Sequence, residues 1–145
     1  MAANRTLTHD DSEPPPGAHA VRGVEAKVRW ADEDANGHVN NAVYLNYLEE
    51  ARDALLDRLF GAASYDFVLA HVGIDYVAEI THRHLVVSID SWVTGHGTSS
   101  VRTAEVIRLP DGSLAARSVA VLVPRGPGGG SRPLSADELA ALARG

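Results

Sequence analysis

The chain of 145 residues contains no cysteine, which excludes a disulfide framework, a thiol nucleophile and any zinc site built on thiolates. A reducing cytoplasm suits such a chain. No apolar run approaches the roughly 20 residues that span a bilayer. The start, MAANRTLTHDDSEPPPGAHAVRG, lacks the apolar core of a signal peptide. We therefore expect a cytoplasmic protein that is neither exported by that route nor integral to a membrane. Positive charge is also in short supply. The 13 Lys+Arg stand against 19 Asp+Glu, a formal charge of -6, which argues against nonspecific nucleic-acid binding as the main role. An anionic ligand would need a local basic patch.

What is present suits one domain: the length is that of a single core, and the 45% hydrophobic content is ample to fill it. Residues 1–22 are polar, interrupted by Pro14, Pro15 and Pro16 and without hydrophobic period, so they read as a flexible tail. Residues 23–125 carry the regular patterns. VEAKVRW, from Val24 to Trp30, alternates as a strand does. A helix follows, with Tyr44, Tyr47, Leu48, Ala51, Leu55 and Leu59 at three- and four-residue spacing and Asn46, Glu49, Glu50, Asp53 and Asp57 on other sides.

Four more strand patterns come after it. Val72, Ile74, Tyr76, Ala78 and Ile80 fall on one face of the first; Leu85, Val87, Ile89, Ser91 and Val93 do so in the second. The last two, SSVRTAEVIRL and LAARSVAVLV, are joined by Pro110, Asp111, Gly112 and Ser113, a hairpin signal. In residues 126–145 a Gly- and Pro-rich linker leads to a short helix, opened by Ser135 and Glu138 at capping-box spacing. Adjacent antiparallel strands must cover something apolar, and the one long helix is the only large object available. The expected fold is α+β: a curved, antiparallel, five-stranded sheet wrapped around one long central helix, plus a short C-terminal helix.

The helix is approached through an unusually polar stretch, DEDANGHVNNAVYLNYLEEAR, from Asp32 to Arg52. Read alone, Asp34 and Asn36 suit Asx turns, while His38, Asn40 and Asn41 suit helix caps. The spaced set closely resembles the corresponding stretch of hot-dog-fold acyl-CoA thioesterases of the 4-hydroxybenzoyl-CoA thioesterase type. DANGHVNN also resembles plant acyl-carrier-protein thioesterases. The similarity covers about Val24 to Val123 and is most specific in the D-x-N-x-H-V-N-N core.

That resemblance implies a hot-dog fold and hydrolysis of an acyl-CoA to free acid and CoA, with an acyl-carrier-protein thioester as the less favoured substrate. No metal and no separate cofactor are expected, coenzyme A being part of the substrate. Asp34 would act as general base or nucleophile, with Asn36 and His38 as orienting groups. The backbone N–H of Asn41, at the first turn of the helix, would polarise the thioester carbonyl. Gly37 would let the chain turn and the substrate approach. Glu49 matches a helix glutamate used by some other hot-dog thioesterases, although a solvated position or a pairing with Arg52 suits it better.

Tyr44, Tyr47 and Phe67 read as core, with Tyr44 also a candidate for the acyl pocket. Arg83 is a candidate for a coenzyme A phosphate, as are Arg102 and Arg125. His82 and His84, placed on one strand face, have no third ligand at a familiar spacing. A homodimer or homotetramer is expected, since one helix cannot cover both faces of a five-stranded sheet. A hot-dog hydratase and a noncatalytic acyl-CoA-binding hot-dog domain are the alternative readings. The acyl group is left open.

Overall fold

The computed structural model describes residues 12–144. Its strands are β1 (Ala20–Lys27), β2 (Phe67–Tyr76), β3 (Val86–His96), β4 (Val101–Arg108) and β5 (Leu114–Pro124), with helices α1 (Tyr44–Phe60) and α2 (Ala136–Ala143). A 3-10 turn over Asn41–Val43 leads into α1. The strands form one sheet in the order β1-β3-β4-β5-β2, every neighbouring pair antiparallel, so β1 and β2 are its edges.

Period-2 alternation gives the sheet a helix-facing side. Val87, Ile89, Ile107 and Ala116 pack with Tyr44, Tyr47, Leu48 and Ala51 of α1. Farther along the helix, Leu56 packs with Phe67, Val101, Leu122 and Leu134. Along β4 the residues between these two clusters, Thr103 and Glu105, are buried and polar. Arg52 meets them from α1: its Nη2 donates to Glu105 Oε1 at 2.7 Å. Ser118 donates to the same oxygen at 3.0 Å, and Ser91 to Oε2 at 3.3 Å. The apolar stripe read from the sequence therefore omitted Arg52 and Leu56, both on the buried face. Arg52 turns inward to Glu105, not outward to Glu49, which is exposed.

Several boundaries differ from the sequence reading, each for a local reason. Strand β1 starts at Ala20, inside the stretch read as tail, because a bulge between Val21 and Val24 with Gly23 at φ +67° breaks the alternation. It ends at Lys27, and Trp30 lies beyond it, exposed, in a 3-10 turn, Trp30–Asp32. Of the rest of the expected tail, residues 12–19 are tied to the body, with the Ser12 carbonyl accepting from Arg108 and the His19 ring meeting the Leu142 carbonyl, and residues 1–11 lie outside the described residues.

Strand β2 stops at Tyr76. The N–H groups of Val77 and Ala78 both donate to Ala115 O, so Ala78 and Ile80 leave the ladder. His82–His84 form a 3-10 turn instead of a shared strand face, and Leu85, read as inward-facing, is exposed at φ +69°. The Gly-rich segment read as a linker is closed by a bridge between Arg125 and Ser131. Arg132 then pairs with Glu138 and Asp66. The capping box of α2 forms as expected: Ser135 Oγ accepts the Glu138 N–H, and Glu138 accepts the Ser135 N–H. Among the described residues, no helix is long and apolar enough to cross a membrane.

Candidate active site

The polar stretch folds as a closed loop in front of α1. An antiparallel bridge between Glu33 and Val39 forms its neck, and Asp34 N–H donates to His38 O at 3.1 Å. Inside the neck, Gly37 N–H reaches Asp34 O at 3.1 Å, with Gly37 at φ +82°, a conformation that favours glycine. Asp34 Oδ1 accepts the Asn36 N–H at 2.9 Å, an Asx turn. Its Oδ2 has a longer contact, 3.5 Å, from Asn40 Nδ2.

Asn40 joins that carboxylate to the helix. Its Oδ1 accepts the Ala42 N–H at 2.9 Å, and its carbonyl accepts the Val43 N–H, also at 2.9 Å. The Asn41 N–H is left without a partner among the described residues. The Asn41 carbonyl is taken instead, by the hydroxyl of Tyr76 at 2.8 Å. Tyr76 stands edge-on to Tyr44, with ring centroids 4.9 Å apart, and the Tyr44 hydroxyl donates to Ala78 O. The end of β2 and the segment after it therefore brace the start of the helix.

The loop is anchored on its near side by Asp32. This carboxylate is 3% exposed and accepts from the Arg29 backbone, from the Arg29 guanidinium and from the Tyr47 hydroxyl at 2.7 Å. Burial raises the Asp32 pKa, but those hydrogen bonds outweigh it and hold the carboxyl below its ordinary value. The Tyr47 hydroxyl is pushed up, first by burial and then by its bond to Asp32. On the far side, Val39 N–H donates to Ile80 O at 2.7 Å, and Glu33 Oε1 accepts both the backbone N–H and the ring Nδ1 of His82. The Glu33 carboxyl is lowered by the His82 backbone bond first, then by the ring.

The fold thus brings Asp34, Asn36, Gly37, His38 and Asn41 into one loop and helix start. The Asp34 carboxylate is served by the Asn36 backbone and the Asn40 amide, not by the Asn36 side chain or the His38 ring. His38 instead places Nε2 3.8 Å from Glu79 Oε1. Arg83 is exposed on the turn beside Glu33, close enough to help lower that carboxyl. Tyr44 is core, 3% exposed. Glu49 lies on the exposed side of α1. Among the described residues, no group of three or more His, Asp or Glu could hold a metal ion.

Asp32, Glu33, His82 and Tyr76 have structural roles that the sequence did not reveal. The run Asp32-Glu33-Asp34 was the available signal, but the partners of the first two were not legible from it.

The sequence profile of the Thioesterase-like superfamily matches residues 28–139, which include the loop, α1 and the whole sheet from β2 onward. The chain belongs to that superfamily. A thioesterase from Thermus thermophilus, solved with coenzyme A and Zn, is 31% identical with a TM-score of 0.70, over 85% of this chain and 90% of its own. A thioesterase-superfamily protein from Jannaschia sp. CCS1 is 21% identical, TM-score 0.73, covering 90% of this chain and 94% of its own. SAV2348 from Staphylococcus aureus, solved in complex with CoA, is 12% identical, TM-score 0.72, over 87% and 82%. At those two lower identities the likeness concerns the fold alone. No curated protein sequence matches. The architecture of this superfamily member is the hot-dog fold, as the resemblance led us to expect.

Proposed function

We propose that this thioesterase-superfamily chain hydrolyses an acyl-CoA to a free acid and CoA in the manner of the 4-hydroxybenzoyl-CoA type, with Asp34 as the reacting carboxylate. The observation that carries this reading is the pairing of Asp34, held in a closed loop, with a helix start whose Asn41 N–H is unpartnered among the described residues. A thioester carbonyl seated against that N–H would develop its negative charge at the positive end of α1. Oδ1 of Asp34 is committed to the Asn36 backbone N–H, so Oδ2 is the freer oxygen.

Two routes use it. As general base, Oδ2 takes a proton from water while the water oxygen bonds to the carbonyl carbon; collapse then breaks the carbon–sulfur bond and the CoA thiolate takes up a proton. As nucleophile, it forms a mixed anhydride with expulsion of the thiolate, and water opens the anhydride. In this reading His38, in the same loop, would orient the water or thioester and not Asp34, and the exposed Arg83 is assigned to a coenzyme A phosphate. The coenzyme A held by the Thermus relative supports the choice of thiol.

We also propose that two copies join through β2, the edge strand whose outer backbone groups have no partner strand among the described residues. Leu69, Tyr76 and Val77 are exposed along or just beyond it. Tyr76 touches the Asn41 carbonyl, so a second chain seated on that edge would border the site. The reading is tested by free-thiol release from a panel of aromatic and aliphatic acyl-CoAs. At least one should be turned over, and a panel left intact by the folded protein would refute it.

A further inference from the structure

We infer that Glu33 is a positioning residue, latched to His82, that sets the placement of the Asp34 carboxylate; this rests on the reading of Asp34 given above. Glu33 is the residue immediately before Asp34, and its backbone forms one half of the loop's neck with Val39. Its side chain is only 11% exposed and turns away from the loop toward His82. One oxygen, Oε1, receives two donors from that single residue: the His82 backbone N–H at 2.7 Å and the His82 ring Nδ1.

That pincer ties the neck to a turn remote in sequence. The turn is itself constrained: the His84 ring accepts the Thr81 N–H at 3.0 Å, and Leu85 closes it at φ +69°, a strained value for a residue with a side chain. The other half of the neck is tied to the same segment, through Val39 N–H and Ile80 O. Both neck residues therefore reach across to 80–82, while among the described residues the Asp34 side chain has only the Asx turn and one long amide contact to hold it.

The placement of Asp34 is thus inherited from Glu33. Positioning errors of about 1 Å can cost on the order of a hundredfold in rate. A latch built from an acceptor at the right reach also has a specific signature: length should matter more than charge. Glu33→Gln keeps an oxygen at the same reach for the His82 donors. Glu33→Asp keeps the charge but withdraws it by one methylene.

The test measures kcat and KM for Glu33→Ala, Glu33→Asp and Glu33→Gln, for Asp34→Asn, and for Glu33→Asp combined with Asp34→Asn, after each has passed a melting check. Glu33→Asp is the informative variant should Glu33→Ala fail to fold. Glu33→Ala and Glu33→Asp are expected to lower kcat about tenfold with KM within about twofold, and Glu33→Gln to keep at least about a third of the parent kcat. In the Asp34→Asn background the Glu33→Asp change should add less than about twofold, because it acts through the group already removed.

Normal kcat in Glu33→Asp beside a crippled Asp34→Asn would overturn the positioning role and leave the Asp34 reading intact. An undiminished tenfold loss in the double variant would overturn it as well. Near-normal turnover in Asp34→Asn would refute the Asp34 reading, and the positioning role with it.

Discussion

Asp32, Glu33 and Asp34 are three consecutive carboxylates that meet three different surroundings. Asp32 is buried beneath Arg29 and Tyr47, Glu33 grips His82, and Asp34 is left with backbone and amide contacts at the loop's open side. The last is the carboxylate on which the proposed function rests. Composition could not separate them, because the difference lies in donors that arrive from residues 29, 47 and 82. Asp32 carries a pH prediction. Its folded pKa is depressed, so its stabilisation is full above the unfolded value, about 3.9, and is lost as pH falls through the folded one. At pH 7 Asp32→Asn should lower stability by about 2 kcal/mol, the scale of hydrogen bonds to a charged group. Melting curves of parent and variant should converge as pH drops below about 4. A gap that persisted unchanged at pH 3 would contradict this.

Elements were legible where their period was unbroken. Helix α1, the β4–β5 hairpin and the capped α2 stand where the sequence placed them, because each carries a regular stripe or a local turn signal. The reading failed at β1, where the bulge at Gly23 interrupts the alternation, and at His82–His84, where a 3-10 turn replaces a strand. It also passed over Arg52, since an arginine on a helix face is ordinarily solvent-facing. The structure buries it, 3% exposed, against a fully buried Glu105. Removing one partner would strand the other charge in the core.

Glu105→Ala should therefore destabilise the fold by about 3–5 kcal/mol. Arg52→Met together with Glu105→Leu should recover most of that loss, since replacing both charges with apolar groups is often neutral. Denaturant titration checks both. A double variant as weak as the single one would show that Ser91 and Ser118, deprived of their acceptor, dominate the cost.

For the whole molecule, the sheet wraps one side of α1 and ends at β2, whose edge adjoins the helix start. A single chain would leave both that edge and the site's border open. Light scattering of the active protein should report at least twice the chain mass; a stable, active monomer at micromolar concentration would contradict the assembly proposed above. The most direct measurement is turnover of the best acyl-CoA by the parent, Asp34→Asn and Glu49→Gln, each first shown to melt as the parent does. Asp34→Asn should lower kcat at least about a hundredfold, as expected for loss of a general base or nucleophile, and Glu49→Gln should cost much less. Near-normal turnover in Asp34→Asn beside an inactive Glu49→Gln would move the chemistry to the helix glutamate and contradict the account.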